Sequence, residues 1–317
     1  MIRTSPLILA LLCSLLWSIS PRNSIAATST PDSSPTADFA AIDDIVDLID
    51  AARMVGNVHT LATEIGVRPA GSEKEREAAN FIAHELESYG YLVSASSFVL
   101  DSGLESENIL AELPGECPEA ILIGAHYDSK PPSPGANDNA SGIAVLLEVA
   151  RALADTEPPY TVIFVAFGAE EVIDGNPDHH HYGSRRLAAD DELVTRLLCM
   201  SSVDMVGVGS ELWLDNMGMS DDGWRSHVAE CARAMGLAAH TGERRAWSDH
   251  EAFERHGVPA AWIHWRYDGR YHTSADVPDR VKPELLHATA ELLVRAVLGI
   301  DGATVVRLRD QSDLGIL

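Results

Sequence analysis

Three uninterrupted apolar runs, at residues 121–125, 162–167 and 258–263, constrain the fold of this chain more than any other feature. A strand with one face in water alternates apolar and polar residues, whereas a strand covered on both faces is apolar throughout. The length of the runs suits strands better than helices. The sequence therefore predicts three buried strands with helices packed on both faces of their sheet.

Helical periodicity appears between and around these runs. Apolar residues recur at spacings of three and four over residues 143–153 and 286–297, which predicts two amphipathic helices. A Ser-x-x-Glu sequence at 72–75 precedes a third such pattern at 78–86 and predicts the start of a helix. Strands that alternate with helices form largely parallel sheets. We therefore predict an α/β fold, a three-layer α/β/α sandwich with a central, mostly parallel mixed sheet.

The first residues are typical of a signal peptide, which we predict over residues 1–27. Arg3 is followed by an apolar run at 7–17 and then by small residues around 24–27. The apolar run is shorter than the roughly 20 residues that a spanning helix needs, which favours cleavage over a retained membrane anchor. We therefore expect a secreted or periplasmic protein with no stable membrane association.

Composition divides the remainder of the chain into three segments. Residues 28–41 are rich in Ser, Thr, Pro and Ala, which is typical of a flexible linker. Residues 42–300 show no internal repeat and are predicted to form one domain. Residues 301–317 are predicted to form a C-terminal tail.

Charge and cysteine content argue against two classes of protein. The formal net charge is -25 with only three lysines, which argues against nucleic acid as a partner. The acidic surface either steers cationic ligands such as peptide amino termini or is simply well solvated.

Beyond the predicted signal peptide, Cys117, Cys199 and Cys231 form an odd, widely spaced set. They indicate neither a disulfide scaffold nor a cysteine zinc site, although one pair is able to bridge.

Polar residues follow the predicted strands at the point where each strand ends. His126 and Asp128 come directly after the first run, Glu170 and Glu171 after the second, and Asp204 closes a further apolar segment. In open α/β sheets, ligands bind in the crevice beyond the carboxyl ends of the strands. Imidazole and carboxylate groups are the ligands that a catalytic zinc prefers, with one position left for water. The sequence therefore predicts a metal site at this edge.

Five stretches in a fixed order carry a resemblance to a known family. They are GAHYDS at 124–129, GANDNASG at 135–142, GAEE at 168–171, DMVG at 204–207 and YHT at 271–273. Together they resemble the metal-binding motifs of the M28 family of zinc peptidases, the co-catalytic aminopeptidases. The resemblance spans roughly residues 70–300 and implies the zinc aminopeptidase/phosphorylase-like version of the predicted fold.

The resemblance implies two Zn²⁺ ions per chain, although other divalent metals suit the same ligands. Asp138 would bridge both ions, with Glu171 and His272 completing one site and His126 and Asp204 the other. Taken singly, each of these residues also reads as a structural histidine, a helix cap or a turn residue. The ordered set favours metal binding.

The residues beside these ligands are assigned catalytic and supporting roles. The resemblance makes Glu170 the general base and predicts a non-proline cis peptide between Asp138 and Asn139. Asp128 is expected to accept the second imidazole N–H of His126 or, alternatively, to form a turn.

Two further residues have open assignments. Asp249 is expected to receive the substrate's amino group or to support a ligand histidine, or else it caps a helix that starts at Glu251. Tyr271 either donates its phenol to the developing oxyanion and contacts substrate, or packs beside the sheet.

Conspicuous histidines and tryptophans are also open to two interpretations. The run of His179, His180 and His181 is predicted to be an exposed loop tract that picks up metal adventitiously. Trp247, Trp262 and Trp265 either shape a side-chain pocket or belong to the core.

The sequence thus predicts an exported di-zinc exopeptidase, a metallo-aminopeptidase that releases N-terminal amino acids from peptides. The alternative is a glutaminyl-peptide cyclotransferase, because residues 126–130 and 182–189 resemble the pattern of metal-dependent glutaminyl cyclases. Residues 137–142 are peptidase-like instead, and Tyr271 rather than tryptophan precedes His272. Carboxypeptidase, dipeptidase and non-catalytic binding functions share the same core.

Overall fold

The computed structural model describes residues 39–310 apart from 172–175 and 177–178. The predicted signal peptide at 1–27 and residues 28–38 of the predicted linker lie outside the described residues, as does the end of the predicted tail. In the described part of the chain, none of the helices has the length and hydrophobicity of a bilayer-spanning segment.

Helices and strands make up most of the described residues. The α-helices are α1 (Phe39–Val46), α2 (Ala51–His59), α3 (Glu73–Ser88), α4 (Ser141–Leu153), α5 (Tyr182–Ala188), α6 (Asp191–Arg196), α7 (Gly223–Ala234), α8 (His250–Glu254), α9 (Pro283–Leu298) and α10 (Gly302–Asp310). The strands are β1 (Val93–Val99), β2 (Glu105–Leu113), β3 (Cys117–His126), β4 (Tyr160–Phe167), β5 (Leu197–Val203), β6 (Glu211–Asn216), β7 (Ala239–Arg244) and β8 (Ala260–Arg266). Short π-helical or 3-10 segments lie at Thr60–Ile65, Ala136–Ala140 and Pro278–Arg280.

The strands form one mixed sheet in the order β1-β2-β4-β3-β5-β8-β6-β7. The central strands β4, β3, β5 and β8 run parallel, and β6 pairs in parallel with β7. Antiparallel pairs join β1 to β2, β2 to β4 and β6 to β8. Most neighbouring strands are therefore parallel, which confirms the predicted sheet.

The three predicted buried strands correspond to β3, β4 and β8, and their side chains point alternately into two apolar cores. In β3, Ile121 and Ile123 pack in the larger core with helices α1, α2, α4, α7 and α9. Ala120 and Leu122 pack in the smaller core with α5 and α8. Burying one isoleucine or leucine side chain contributes about 1.5–3 kcal/mol. Helices on both faces explain why the three apolar runs within these strands lack polar residues, and they confirm the three-layer architecture.

Two boundaries differ from the sequence pattern. Strand β8 begins at Ala260, two residues later than predicted, because the Val258 N–H donates to the Phe253 carbonyl at 3.1 Å and closes helix α8. Helix α10 occupies the first part of the predicted C-terminal tail, and its Val305 and Leu308 are buried in the larger core. This segment therefore belongs to the packed fold.

The cysteines of the described residues are not bridged. Cys117, Cys199 and Cys231 are all free thiols, so no pair among them forms a disulfide. Burial raises the pKa of the Cys231 thiol to about 11 and that of Cys199 well above its usual value. Both thiols are therefore protonated at neutral pH.

Candidate active site

The parallel strands at the centre of the sheet deliver the predicted site residues to one edge. His126 is the last residue of β3, Glu170 and Glu171 follow β4, and Asp204 follows β5 directly. Because the carboxyl ends of parallel strands meet at the same edge, these side chains converge. His272 reaches the same place from the loop after β8.

Five side chains converge in two overlapping groups. In the His272 group (Asp138, Glu171 and His272), His272 Nε2 lies 2.8 Å from Glu171 Oε1 and 3.0 Å from Asp138 Oδ2. In the His126 group (Asp138, His126 and Asp204), His126 Nε2 lies 3.3 Å from Asp138 Oδ1 and 3.5 Å from Asp204 Oδ1. Asp138 thus presents one oxygen to each group.

The chemistry of both groups suits a divalent cation, and the spacing of the His126 group fits one directly. A tetrahedral zinc with ligands at about 2.0–2.2 Å has ligand atoms about 3.3–3.6 Å apart, close to the 3.3 and 3.5 Å of the His126 group. The 2.8 and 3.0 Å contacts of the His272 group are shorter. Asp204 Oδ1 and His126 Nδ1 are buried and, among the described residues, have no hydrogen-bond partner of good geometry. Leaving buried polar atoms unpaired is costly unless an ion or water meets them. The donors present therefore suit a metal.

Crowding of carboxylates dominates the electrostatics of the His272 group. Burial raises the pKa of Glu171, and the nearby charge of Asp138 raises it further, to about 8. Burial alone would lower the pKa of His272, but the carboxylates of Asp138 and Glu171, which accept from its ring, raise it to about 10. A divalent cation would offset the negative charge of these carboxylates.

The loop that carries Asp138 is held by side-chain hydrogen bonds. Asp276 accepts from the backbone N–H groups of Asn137 at 2.8 Å and Asp138 at 3.1 Å. The Asn139 side chain donates to the carbonyl of Val203, the residue before Asp204, at 2.9 Å. The peptide bond between Asp138 and Asn139 is cis, as the sequence predicted. These contacts couple the shared carboxylate to the end of β5.

Asp128 lies beside His126, and its closer contacts are with the loop after β4. Its Oδ1 lies 3.4 Å from His126 Nδ1, but the two atoms do not form a hydrogen bond of good geometry. The carboxylate instead accepts the backbone N–H groups of Glu170 and Glu171, each at 3.0 Å. Asp128 therefore orients the loop after β4, because two peptide N–H groups point at its oxygens more directly than the imidazole does.

Arg68 is a supporting residue that the sequence did not reveal. It is fully buried, and its guanidinium donates to the carbonyls of Tyr127, Pro134 and Gly135 at 2.8, 2.6 and 3.1 Å. Burial lowers the pKa of Arg68 to about 10, which leaves it charged at neutral pH. Arg68 thus stabilises the loop between β3 and Asp138 through these hydrogen bonds.

Glu75 also supports the site, although it was predicted only to start a helix. Ser72 does cap α3, since its Oγ accepts the Glu75 N–H at 3.1 Å. The Glu75 carboxylate is buried and accepts the N–H of Ala169, the residue before Glu170, at 2.9 Å. Burial and the charge of Asp128 raise the pKa of Glu75 to about 8. The carboxylate therefore holds the loop after β4 from the side of α3.

The histidine run is not the exposed tract that the sequence predicted. His181 is 1% exposed, and its Nε2 lies 2.9 Å from Glu170 Oε1. Its Nδ1 lies 2.6 Å from Glu251 Oε2. His180 lines the site cavity, and His179 lies 3.0 Å from a carboxylate oxygen of Asp101. Partners distant in sequence therefore bury the third histidine and make the prediction wrong there.

Asp249 lies apart from the cavity. It occupies the N-cap position of α8, but its side chain makes no capping hydrogen bond. The residue is fully buried and does not line the cavity, which argues against direct contact with a substrate's amino group. Burial and the charge of Glu170 raise the pKa of Asp249 to about 7. Its position suits support of the groups around Glu170.

A cavity of about 490 Å³ opens over both groups. Part of its wall is aromatic, formed by Trp247, Trp262, His264, Trp265, Tyr267 and Tyr271. The Tyr271 ring is 47% exposed, and its centroid lies 4.7 Å from that of His272, so it does not pack beside the sheet. Trp262 and Trp265 are nearly buried yet still line the cavity, so they serve core and pocket together.

Strained backbone is concentrated around this cavity. Among the described residues, five non-glycine residues have a positive φ: Ala169, His181, Met205, Tyr267 and His272. All except Ala169 line the cavity, and Ala169 precedes Glu170. Such conformations cost of order 1–3 kcal/mol each and cluster at functional sites. The pattern marks this edge as the functional one.

Comparison with known proteins points to a single family. A model of peptidase family M28 matches residues 108–297. Aminopeptidase YwaD of Bacillus subtilis (strain 168) is 32% identical over 191 residues, which cover 57% of this chain and 41% of that protein. The glutaminyl-peptide cyclotransferase-like protein of Mus musculus is 26% identical over 291 residues, which cover 78% of this chain and 76% of that protein.

Solved structures share the fold. An aminopeptidase from Aneurinibacillus sp. strain AM-1 superposes with a TM-score of 0.74 at 20% identity, covering 82% of this chain and 96% of that chain. At this identity the likeness concerns the fold alone. The chain spans less than half the length of the Bacillus aminopeptidase that it matches.

Proposed function

We propose, on the premise that the chain belongs to peptidase family M28, that it is a zinc-dependent aminopeptidase. It would remove the N-terminal residue of peptides by hydrolysis. One observation carries this proposal: Asp138 presents one oxygen to His272 and the other to His126, beneath a cavity that Glu170 also lines. Paired metal sites of this kind clamp the attacking and leaving groups of a hydrolysis.

The residues of the two groups would each hold one Zn²⁺. When bound, the cations polarise the scissile carbonyl and make a nearby water much easier to deprotonate. One Glu170 oxygen lies within 4.8 Å of ligand atoms of His126 and Asp204, but Glu170 Oε1 also lies 2.9 Å from His181 Nε2. Because of this pairing we assign Glu170 to neither metal group. It is therefore left to handle protons.

Glu170 is the proposed general base. Its Oε1 is held by His181, which leaves Oε2 to take a proton from the attacking water. The same carboxylate would then deliver that proton to the leaving amine as the peptide bond breaks. Asp128 fixes the backbone of Glu170 through the hydrogen bond to its N–H. The base is thus oriented by its main chain and by its side chain.

Tyr271 and the tryptophans would contact the substrate. The Tyr271 phenol, beside His272 in the cavity wall, would donate to the carbonyl oxygen as that oxygen gains charge. Trp247, Trp262 and Trp265 provide an apolar surface for the side chain of the first residue. Carboxylates around the site attract the protonated amino terminus.

We also propose that the protein is exported, because residues 1–27 have the composition of a signal peptide. Mass spectrometry of the protein recovered from periplasm or culture medium tests this. A mature amino terminus close to residue 28 is expected. Full-length protein confined to the cytoplasm would contradict export.

A glutaminyl-peptide cyclotransferase is the second candidate. The mouse cyclotransferase-like relative aligns over most of this chain, which favours this alternative specifically. In that reaction the α-amino nitrogen attacks the side-chain amide carbon of an N-terminal glutamine, and ammonia leaves. Glu170 would take the proton from the amine and return it to the departing ammonia.

Product analysis separates the candidates. Peptides that begin with Leu, Phe or Gln are incubated with zinc-loaded and with chelated protein and then analysed by mass spectrometry. The proposed aminopeptidase releases one free amino acid from the amino terminus, and only when metal is present. Loss of ammonia from the Gln peptide alone indicates a cyclase, and shortening from the carboxyl end indicates a carboxypeptidase. Either result would overturn the aminopeptidase proposal.

A further inference from the structure

We infer that His181 is a positioning residue for Glu170. Its Nε2 pairs with one oxygen of the Glu170 carboxylate, its Nδ1 is held by Glu251, and the other Glu170 oxygen is left for proton transfer. The inference rests on the proposed role of Glu170 as general base. It assigns a function to one member of the histidine run, which the sequence pattern predicted to be an exposed tract that picks up metal adventitiously.

His181 connects Glu170 to Glu251 through its two ring nitrogens. Nε2 lies 2.9 Å from Glu170 Oε1, and Nδ1 lies 2.6 Å from Glu251 Oε2. His181 is 1% exposed and Glu251 is 2% exposed, so water does not compete effectively for either bond. Both nitrogens of one ring are therefore committed, one to the base and one to an anchor in α8.

The backbone ties the same two segments together. The His181 N–H donates to the Glu170 carbonyl at 2.8 Å. The Tyr182 and Gly183 N–H groups donate to the carbonyls of Ala169 and Gly168 at 3.0 and 3.1 Å. His181 itself has φ 53, a left-handed conformation that directs the chain into α5. Its ring therefore meets Glu170 from a backbone that is already fixed beside it.

Charge strengthens the contacts of His181 with Glu170 and Glu251. Burial alone would lower the pKa of His181, but Glu170 and Glu251 raise it to about 9. At neutral pH the ring is therefore an imidazolium that donates from both nitrogens, and such charge-assisted bonds are stronger than neutral ones. Arg185 Nη2 lies 3.0 Å from Glu251 Oε2, and Arg255 Nε donates to Glu251 Oε1 at 2.8 Å. These guanidinium groups keep Glu251 ionised as the anchor.

The same contacts argue against a third metal site at His180, His181 and Glu251, whose ligand atoms lie close together. Arg185 Nη2 already lies 2.9 Å from His180 Nε2 and 3.0 Å from Glu251 Oε2. A guanidinium thus occupies the place that a cation would need. Positioning of Glu170 accounts for the buried ring without a metal.

Orientation matters because a general base must meet its proton at hydrogen-bond distance in a narrow geometry. Without the bond from His181, the Glu170 carboxylate rotates about its last torsion and spends less time correctly placed. His181 belongs to neither metal group, and it is a nearly buried part of the cavity wall, so both metal groups and most of the wall should be retained. Loss of His181 should therefore lower kcat and leave KM nearly as it was.

Two replacements of different reach test the inference. Gln places its amide nitrogen near the position of His Nε2 and keeps a donor for Glu170, whereas Asn reaches only as far as Nδ1. We expect His181→Asn to lower kcat roughly tenfold to a hundredfold with little change in KM, and His181→Gln to recover most of the loss. The matched control His179→Asn, in the same run but outside the cavity wall, should retain wild-type values.

A second readout does not depend on activity. In protein labelled with ¹⁵N-histidine, His181 should show two slowly exchanging ring N–H signals at neutral pH. Both should vanish in His181→Asn, and one should shift in Glu170→Gln. Absence of both signals from the wild-type protein would overturn the inference.

The remaining outcomes separate this inference from the proposed function. The positioning role would be overturned if the Gln and Asn variants lost the same amount of kcat and both also had a lower Tm. Unchanged kcat in His181→Asn would overturn it as well. If His181→Asn does not fold, Glu251→Gln removes the anchor and should lower kcat, and wild-type kcat there overturns the role. Wild-type turnover in Glu170→Gln would instead refute Glu170 as base and with it the proposed function.

Discussion

The His272 group and the His126 group share one carboxylate but differ in packing. In the His272 group, His272 Nε2 lies 2.8 Å from Glu171 Oε1 and 3.0 Å from Asp138 Oδ2, and the histidine side chain is 34% exposed. In the His126 group the separations are 3.3 and 3.5 Å, and the histidine side chain is 1% exposed. The first group can satisfy itself with protons and water, whereas the second leaves buried atoms unpaired.

This difference teaches which ion the fold needs more. A buried polar atom without a partner costs about 1–3 kcal/mol, so a cation in the His126 group would stabilise the protein as well as serve catalysis. In the His272 group the histidine is partly exposed, so exchange with solvent is easier there. We therefore expect the ion in the His126 group to contribute more to the stability of the fold. The ion in the His272 group should exchange with solvent faster.

The largest effect is expected from the residue that the two groups share. Asp138→Asn removes a charged ligand from both at once, so turnover should fall by more than about a thousandfold and bound zinc should drop below one per chain. Elemental analysis and kcat measure this. The exposed Asp47→Asn serves as the control. Retention of two zinc ions in Asp138→Asn would show that the groups are not bridged.

Glu170→Gln should be the next most severe change, and it should leave both groups intact. Loss of a general base lowers turnover by about 10²–10⁴-fold, while Glu170 is not a proposed ligand of either ion. Zinc content should therefore stay at the wild-type value. Full activity, or loss of a metal together with activity, would mean that Glu170 has a different role.

The two histidines should differ in their effect on stability. His126→Ala creates a cavity and strips the buried carboxylates of their partner, so the metal-free protein should lose about 2–4 kcal/mol of unfolding free energy. His272→Ala, at a partly exposed position, should lose less than about 1 kcal/mol. Urea denaturation of the chelated variants measures both values. Equal losses would contradict the difference in packing.

Metal release should show the smallest but most specific difference. A chelator should remove zinc from the wild-type protein in two phases, because the exposed His272 group opens to solvent and the buried His126 group does not. Stopped-flow detection with a coloured chelator measures the phases. His272→Ala should lack the fast phase, and a single phase in the wild-type protein would argue against two inequivalent sites.

The sequence predicted best those features that leave a pattern within one short stretch of residues. Continuous apolar runs marked β3 and β4 because both faces of those strands are covered. Strand β1, largely exposed at the sheet edge, carries no such run and was not predicted. The five proposed ligands were predicted from ordered motifs, and the structure brings them together, while their metal binding stays a prediction.

Residues whose partners come from elsewhere in the fold were missed or wrongly placed. Arg68 reads as a surface cation because its acceptors are backbone carbonyls, some more than sixty residues away. His181 reads as exposed because Glu251, its anchor, lies 70 residues further along the chain. Asp128 was assigned to the imidazole two positions before it, although peptide groups after β4 meet its oxygens. Tertiary packing alone decides such pairings.

Anomalous diffraction at the zinc edge, from crystals of zinc-loaded protein, tests the bridged centre most directly. The account predicts two anomalous peaks, one on each side of Asp138, with His272 and Glu171 beside one and His126 and Asp204 beside the other. A single peak in the His272 group, or none near Asp138, would contradict it.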